Sequence, residues 1–161
     1  MNLLLAHMKH GSHMKKLFFT FFLLLAVGNL SFAADTPSAP VDPVWLTEAR
    51  ASIAAEKYNE AITQLQAAND TASADWNNLM GYSLRKKQPP NLIAAEKYYQ
   101  TALKIDPEHK GALEYYGKLM LINKDLPGAQ ALLARLDKAC TFGCEEYTDL
   151  KEAIQKYQTK K

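Results

Sequence analysis

The segment Ala61-Ile62-Thr63-Gln64-Leu65-Gln66-Ala67-Ala68 returns as Ala95-Glu96-Lys97-Tyr98-Tyr99-Gln100-Thr101-Ala102 and again as Ala129-Gln130-Ala131-Leu132-Leu133-Ala134-Arg135-Leu136. Ala61, Ala95 and Ala129 fall 34 residues apart twice over, as do Leu65, Tyr99 and Leu133, and then Ala68, Ala102 and Leu136. A fixed period of this size constrains the fold more than any other property of the chain. Each repeat is one supersecondary unit that cannot bury its apolar face alone, so successive units must stack to make a continuous core.

Hydrophobic spacing shows what the unit is made of. Leu113, Tyr116, Gly117 and Met120 lie at i, i+3, i+4 and i+7, the pattern of an amphipathic helix, and Leu126, Ala129, Leu132, Leu133 and Leu136 follow the same rule. Breakers separate the runs: Asn69-Asp70 with Ser73, then Pro89-Pro90, Asp106-Pro107, Asn123-Lys124-Asp125 and Gly143. The spacing predicts seven helices, six of them in three pairs. The seventh, over Glu145 to Tyr157, carries Tyr147, Leu150, Ile154 and Tyr157 on one stripe and is expected to cap the open end of the stack.

The chain resembles the tetratricopeptide repeat family over residues 42 to about 143. Gly81 and Gly117 stand where that family places the small residue of its first helix, Ala95 and Ala129 where it places the small residue opening the second, and Asp106-Pro107 closes a repeat. Ala49 and Ala61 take these roles in the first repeat. Small residues there let two helices approach to the short end of the usual interaxial range. The sequence departs from the pattern in the stretch Lys87-Gln88-Pro89-Pro90-Asn91, which lengthens one turn by two residues, and in Leu136, where a second Ala is usual.

The resemblance implies an all-α, right-handed α-solenoid of three antiparallel helix pairs, at about 42–73, 74–109 and 110–143, with a capping helix over 144–158. It also implies that ligands lie in a concave groove lined by the first helix of each pair. Helical projection puts Asn78, Tyr82, Arg85 and Lys86 there from the middle repeat, Leu46 and Arg50 from the first, and Glu114, Lys118 and Leu121 from the last. Tyr82 with Arg50 and Lys118 makes a set able to hold carboxylates through charge-assisted bonds. The Lys, Arg and Asn set of the family's carboxylate-clamp subgroup is not matched. In Tyr98-Tyr99 and Tyr115-Tyr116, Tyr99 and Tyr116 read as core and Tyr98 and Tyr115 as contacts on the convex face.

Upstream of the repeats the chain has a different character. From Met14 it reads Lys15-Lys16, an apolar run from Leu17 to Val27, Gly28-Asn29, and small residues Ser31 and Ala33, which is the order of a secretory signal peptide with cleavage after Ala33. The run is short of the roughly 20 residues that a membrane span needs, so contact with the membrane is expected only through this transient segment. Gly11-Ser12-His13-Met14 resembles a cloning junction ahead of a native start at Met14. Residues 1–33 are therefore read as leader and 34–41 as a Pro-rich linker. The product is expected to be periplasmic or secreted.

Charge supports this division. The chain has 19 Lys and Arg against 17 Asp and Glu, but Lys9, Lys15 and Lys16 lie in the leader, which has no acid; residues 34–161 carry 16 bases and 17 acids. No basic face or stripe for nucleic acid remains.

Cys140 and Cys144 are the only cysteines, and in an exported chain a disulfide is the expectation. Closing so short a loop contributes about 2 kcal/mol by chain entropy, and the bridge is expected to orient the last helix. The alternative is a redox-active pair, with Cys144 at a helix N-terminus that favours the thiolate. For catalysis, no nucleophile motif, phosphate loop or metal signature occurs, and no cofactor is expected. His109 is the one histidine outside the leader and reads as a solvated turn or capping residue without a partner. Glu108, Glu114, Glu145, Glu146 and Asp149 read as solvated helix faces, with Glu114 and Lys118 as an (i, i+4) pair. The reading is a non-enzymatic adaptor or assembly factor that binds a peptide or a subunit of a complex. A thiol-disulfide-responsive protein and a self-associating structural protein stay open beside it.

Overall fold

The protein was analysed as a computed structural model that describes residues 41–160. The leader, its cleavage site and all of the linker but Val41 lie outside the described residues. Among those described there are seven α-helices and no strand: α1 (Val44–Ala54), α2 (Tyr58–Ala68), α3 (Ala74–Lys86), α4 (Leu92–Ile105), α5 (Lys110–Ile122), α6 (Leu126–Ala139) and α7 (Glu145–Thr159). The chain is all-α.

Three of these helices keep the period of the sequence, because α2, α4 and α6 start at Tyr58, Leu92 and Leu126, 34 residues apart each time. The turns repeat as well. Between α1 and α2 the N–H of Lys57 donates to the carbonyl of Ser52 (2.8 Å) and that of Glu56 to Ile53 (2.9 Å); between α5 and α6 Asp125 donates to Met120 (2.8 Å) and Lys124 to Leu121 (3.1 Å). This is the Schellman closure, which needs one left-handed residue. Glu56 (φ 57°) and Lys124 (φ 64°) occupy that position without being glycine. Between α3 and α4 the longer stretch Lys87–Asn91 replaces it, with Asn91 N–H reaching the Leu84 carbonyl. Ser73, Asn91, His109 and Asp125 cap α3, α4, α5 and α6 by accepting from the backbone N–H three residues on.

A side chain in the left-handed region costs about 1–2 kcal/mol, and glycine removes that cost while adding unfolded-state entropy. Lys124→Gly is therefore expected to raise unfolding stability by about 0.5 kcal/mol, measured by urea denaturation. Lys124→Ala should not; equal behaviour of the two variants would show that the turn is unstrained.

Contacts are local in the order of elements. Each helix packs only on the next and the next but one: α1 on α2 and α3, α3 on α4 and α5, α5 on α6 and α7, with α2 against α3, α4 against α5 and α6 against α7. The core runs through all of them, with Leu65, Met80, Tyr99, Leu113, Leu119, Leu136 and Leu150 sealed from solvent. Ala49, Ala61, Ala95 and Ala129 are all fully buried. Trp76 ties α3 to the end of α2 by donating its indole N–H to the Leu65 carbonyl at 2.6 Å, and it packs edge-to-face with the Tyr98 ring, centroids 5.8 Å apart.

The two helical glycines make room for different neighbours. A Cβ on Gly81 would stand 2.8 Å from the Tyr99 ring and 3.1 Å from the Ala95 carbonyl oxygen, both on α4. A Cβ on Gly117 would meet Leu150 of α7 at 2.5 Å. Gly117 thus admits Leu150 of α7. Leu150 and Ile154 bury the apolar stripe of α7 on this ground.

Candidate functional site

A cleft of about 940 Å³ is bounded by side chains of α1, α3, α5 and α7 and of the turn Asp106–His109; α2, α4 and α6 contribute none. Of the nine groove positions read from the sequence, Arg50, Asn78, Tyr82, Arg85, Lys86, Glu114 and Lys118 line it. Leu46 and Leu121 do not. They are 4 % and 9 % exposed and belong to the hydrophobic core, because burying a leucine side chain is worth about 2 kcal/mol that a groove position would forgo. The chemistry of the cleft falls into three groups.

At one side, Arg50 pairs with Asp42 (3.2 Å) and Asp75 (3.5 Å), and His109 Nε2 lies 3.5 Å from the same Asp75 carboxylate. His109 Nδ1 accepts the Ala112 backbone N–H at 3.1 Å, so both ring nitrogens are engaged. The imidazole holds the Asp75 carboxyl below its ordinary range, against the opposing effect of burial, and Arg50 adds to this. His109 is a capping residue as read, but neither solvated nor partnerless: its side chain is largely buried and joins the start of α5 to the start of α3. With Nδ1 committed to the cap, the ring has no free lone pair for general-base work.

The middle is aromatic. Tyr82 packs on Tyr115 with ring centroids 4.6 Å apart and on Tyr58 at 6.2 Å. The Arg85 guanidinium lies over Tyr82 (5.3 Å) and Tyr115 (5.8 Å), and its Nε donates to the Tyr99 hydroxyl at 3.3 Å. Lys86 stands over Tyr58 at 5.8 Å. Burial pushes the Tyr115 phenol up to about 12, so it is a neutral donor at any physiological pH. Tyr115 was expected on the convex face; instead its ring closes on Tyr82 in the cleft. Tyr98 packs on Trp76, as described above.

The far end is acidic. Lys118 bonds to Glu114 one helical turn before it and to Asp149 of α7 at 3.1 Å, and Glu145 and Glu146 line the cleft beside them. Glu114 was read as solvated, but it is only 5 % exposed. Burial holds its carboxyl above the ordinary range despite Lys118, and the neighbouring Asp149 and Glu146 charges add to this. Burial works to lower the Lys118 ammonium, but Glu114 and Asp149 outweigh it and keep the pKa raised. The expected carboxylate-holding set therefore changes. Arg50 and Lys118 are already neutralised within the chain, and among the described residues Arg85 and Lys86 are cleft cations with aromatic rather than carboxylate neighbours.

The floor holds one side chain that the fold leaves unsatisfied. Asn78 is 5 % exposed, and its Oδ1 is buried without a hydrogen-bond donor. Sequence reading placed Asn78 in the cleft but had no means of knowing that its amide lacks a partner. The Asp75–His109 and Tyr82–Tyr115 pairings join residues 34 and 33 positions apart, whereas α3 and α5 start 36 residues apart and Gly81 matches Gly117, so neither pair joins equivalent positions of the repeat and the period did not announce them.

Behind the cleft, Cys140 at the end of α6 and Cys144 at the start of α7 form a disulfide with Cα atoms 5.7 Å apart. Phe142 between them is fully exposed. No group of His, Cys, Asp and Glu able to hold a metal occurs among the described residues, and no described helix is long and apolar enough to cross a membrane. No family model matches the chain, and no curated protein matches it.

Proposed function

We propose that this chain is an exported protein of tetratricopeptide type, a short right-handed helical solenoid capped by α7, that binds an extended peptide or a segment of a complex subunit in its cleft. It acts as an adaptor or assembly factor and not as an enzyme. The repeat reading is supported by the 34-residue spacing of α2, α4 and α6 and by the matching turns at Glu56 and Lys124. Export to the periplasm or beyond the cell is supported by the signal-like segment from Met14 to Ala33. The observation that carries the binding role is Asn78. A buried amide without a partner destabilises the free protein, and a peptide backbone, which offers both a donor and an acceptor, is the ligand group an amide matches.

The reading is tested with Asn78→Leu in the full chain. The variant is expected to be more stable than the native protein by about 1 kcal/mol, because a desolvated orphan acceptor is replaced by an apolar group of similar size. Chemical denaturation measures this. The same variant is expected to lose capture of partner proteins from an envelope extract that the native chain retains. Unchanged capture would remove the cleft from the binding role. A destabilised variant would mean that Asn78 serves the fold.

A further inference from the structure

The charges of the cleft are sorted by helix. The wall formed by α1 and α3 presents Arg50, Arg85 and Lys86 against Asp75 alone. On the opposite wall, Glu114, Glu145, Glu146 and Asp149 gather around Lys118, while Lys110, with Asp106 and Glu108 of the preceding turn, lines the cleft at the start of α5. Glu114 and Asp149 share that one ammonium, and among the described residues Glu145 and Glu146 have no ion pair. Acids in the first turn of a helix are accounted for by its dipole, which covers Glu145 and Glu146 of α7. It does not account for the half-buried Asp149 beside them, or for a carboxylate as buried as Glu114 on α5, where like charges repel at low local dielectric. An incoming cation would relieve that excess. Between the two walls lie the Tyr82–Tyr115 rings and the unpartnered, nine-tenths-buried amide of Asn78.

We infer that the cleft selects a bipolar protein segment. A Lys or Arg side chain of the segment sits among Glu145, Glu146 and Asp149, and a carboxylate of the same segment sits on Arg85 and Lys86. This rests on the peptide-binding reading above and adds the chemistry of the occupant. The two walls fix which charge of the segment meets which side, since the opposite placement would set like charges against each wall. A protein segment fits better than a free polyamine because a polyamine leaves Arg85, Lys86 and the Asn78 amide unmatched.

The full chain is first used to select from an immobilised decapeptide library randomised at every position, and the enriched peptide is then followed by fluorescence anisotropy. Enrichment of Arg or Lys at one position and Asp or Glu at another is expected. Replacing the basic residue of that peptide by norleucine should weaken binding to the native chain about tenfold, as for a partly desolvated charge pair, and hardly at all to Glu145→Gln/Glu146→Gln. Glu146→Lys, which keeps α7's first-turn Glu145, is expected to turn the preference at that position acidic. Circular dichroism confirms that both variants are folded. Enriched peptides with no basic preference, or an equal loss with native and variant chains, would overturn the bipolar assignment and leave the cleft as a peptide site. Spermidine that binds as tightly as the best peptide would overturn it in favour of a free polyamine. Failure of any peptide to enrich would overturn both readings.

Discussion

Gly81→Val is expected to lower unfolding stability by about 3 kcal/mol, the upper range for overpacking a closed core. The Cβ alone would stand 2.8 Å from two atoms of the Tyr99 ring and 3.1 Å from a backbone oxygen. Neither obstacle yields easily. The ring is fully buried, stacked on Tyr116 at 6.1 Å and bonded through its hydroxyl to Arg85, and the oxygen belongs to the helix that α3 must pack on. The better helix propensity of a residue other than glycine offsets less than about 1 kcal/mol of this. Chemical denaturation of the single variant and of Gly81→Val/Tyr99→Leu decides the cause. If the clash with the ring dominates, the double variant is more stable than the sum of the two single losses requires. Strict additivity would mean that Gly81 is required for something other than the approach of α4.

Lys118→Met is expected to cost about 2 kcal/mol at pH 7. Removing one member of a buried ion pair typically costs about 3–5 kcal/mol, discounted here because the Lys118 side chain is 27 % exposed. The loss comes from the carboxylate left behind, so Glu114→Gln in the same chain should restore most of it. The pH dependence has a definite sign. Folding raises the Glu114 pKa through burial, so its contribution to stability is complete below the ordinary value of 4.5 and is lost as pH rises through the folded value. Without Lys118 the folded value rises further, and the gap between variant and native should narrow steadily as pH falls from 8 to about 5. Asp75 has the opposite sign: its depressed pKa contributes stability above the ordinary value of 3.8 that is lost in stronger acid. Thermal melts across pH 5–8 keep the two effects apart. A gap that does not change with pH would assign the loss to packing of the lysine stem.

The seven helices and their breakers were legible because they rest on local rules: amphipathic spacing, caps and turn residues. The 34-residue period likewise anticipated the register of α2, α4 and α6. What sequence reading missed depends on rotation about a helix axis and on neighbours distant along the chain. Leu46 and Leu121 sit close enough to the boundary between core and cleft that a modest rotation decides their side, and apolar burial decides it inward. Tyr115 and Glu114 are adjacent residues of α5 that both line the cleft, one through a ring on Tyr82 and the other through Lys118, although neighbours on a helix point about 100° apart. The pairing of Arg50 with Asp75 joins residues 25 positions apart and follows no period, so nothing in the sequence announced that this cation is already occupied.

For a chain exported as proposed, the strictly local packing of the helices bears on how it folds as it emerges, N-terminus first, on the far side of the membrane. No described helix waits for a partner more than two elements away, so α1 and α2 have their final neighbours as soon as α3 has emerged, while the segment that becomes α6 is still to follow. Contacts of short sequence separation close quickly, and an N-terminal unit that completes itself early leaves little apolar surface exposed while the rest of the chain arrives. The last of these steps falls to α7, whose Leu150 covers Gly117 of α5, so this end of the core stays open until α7 itself has emerged.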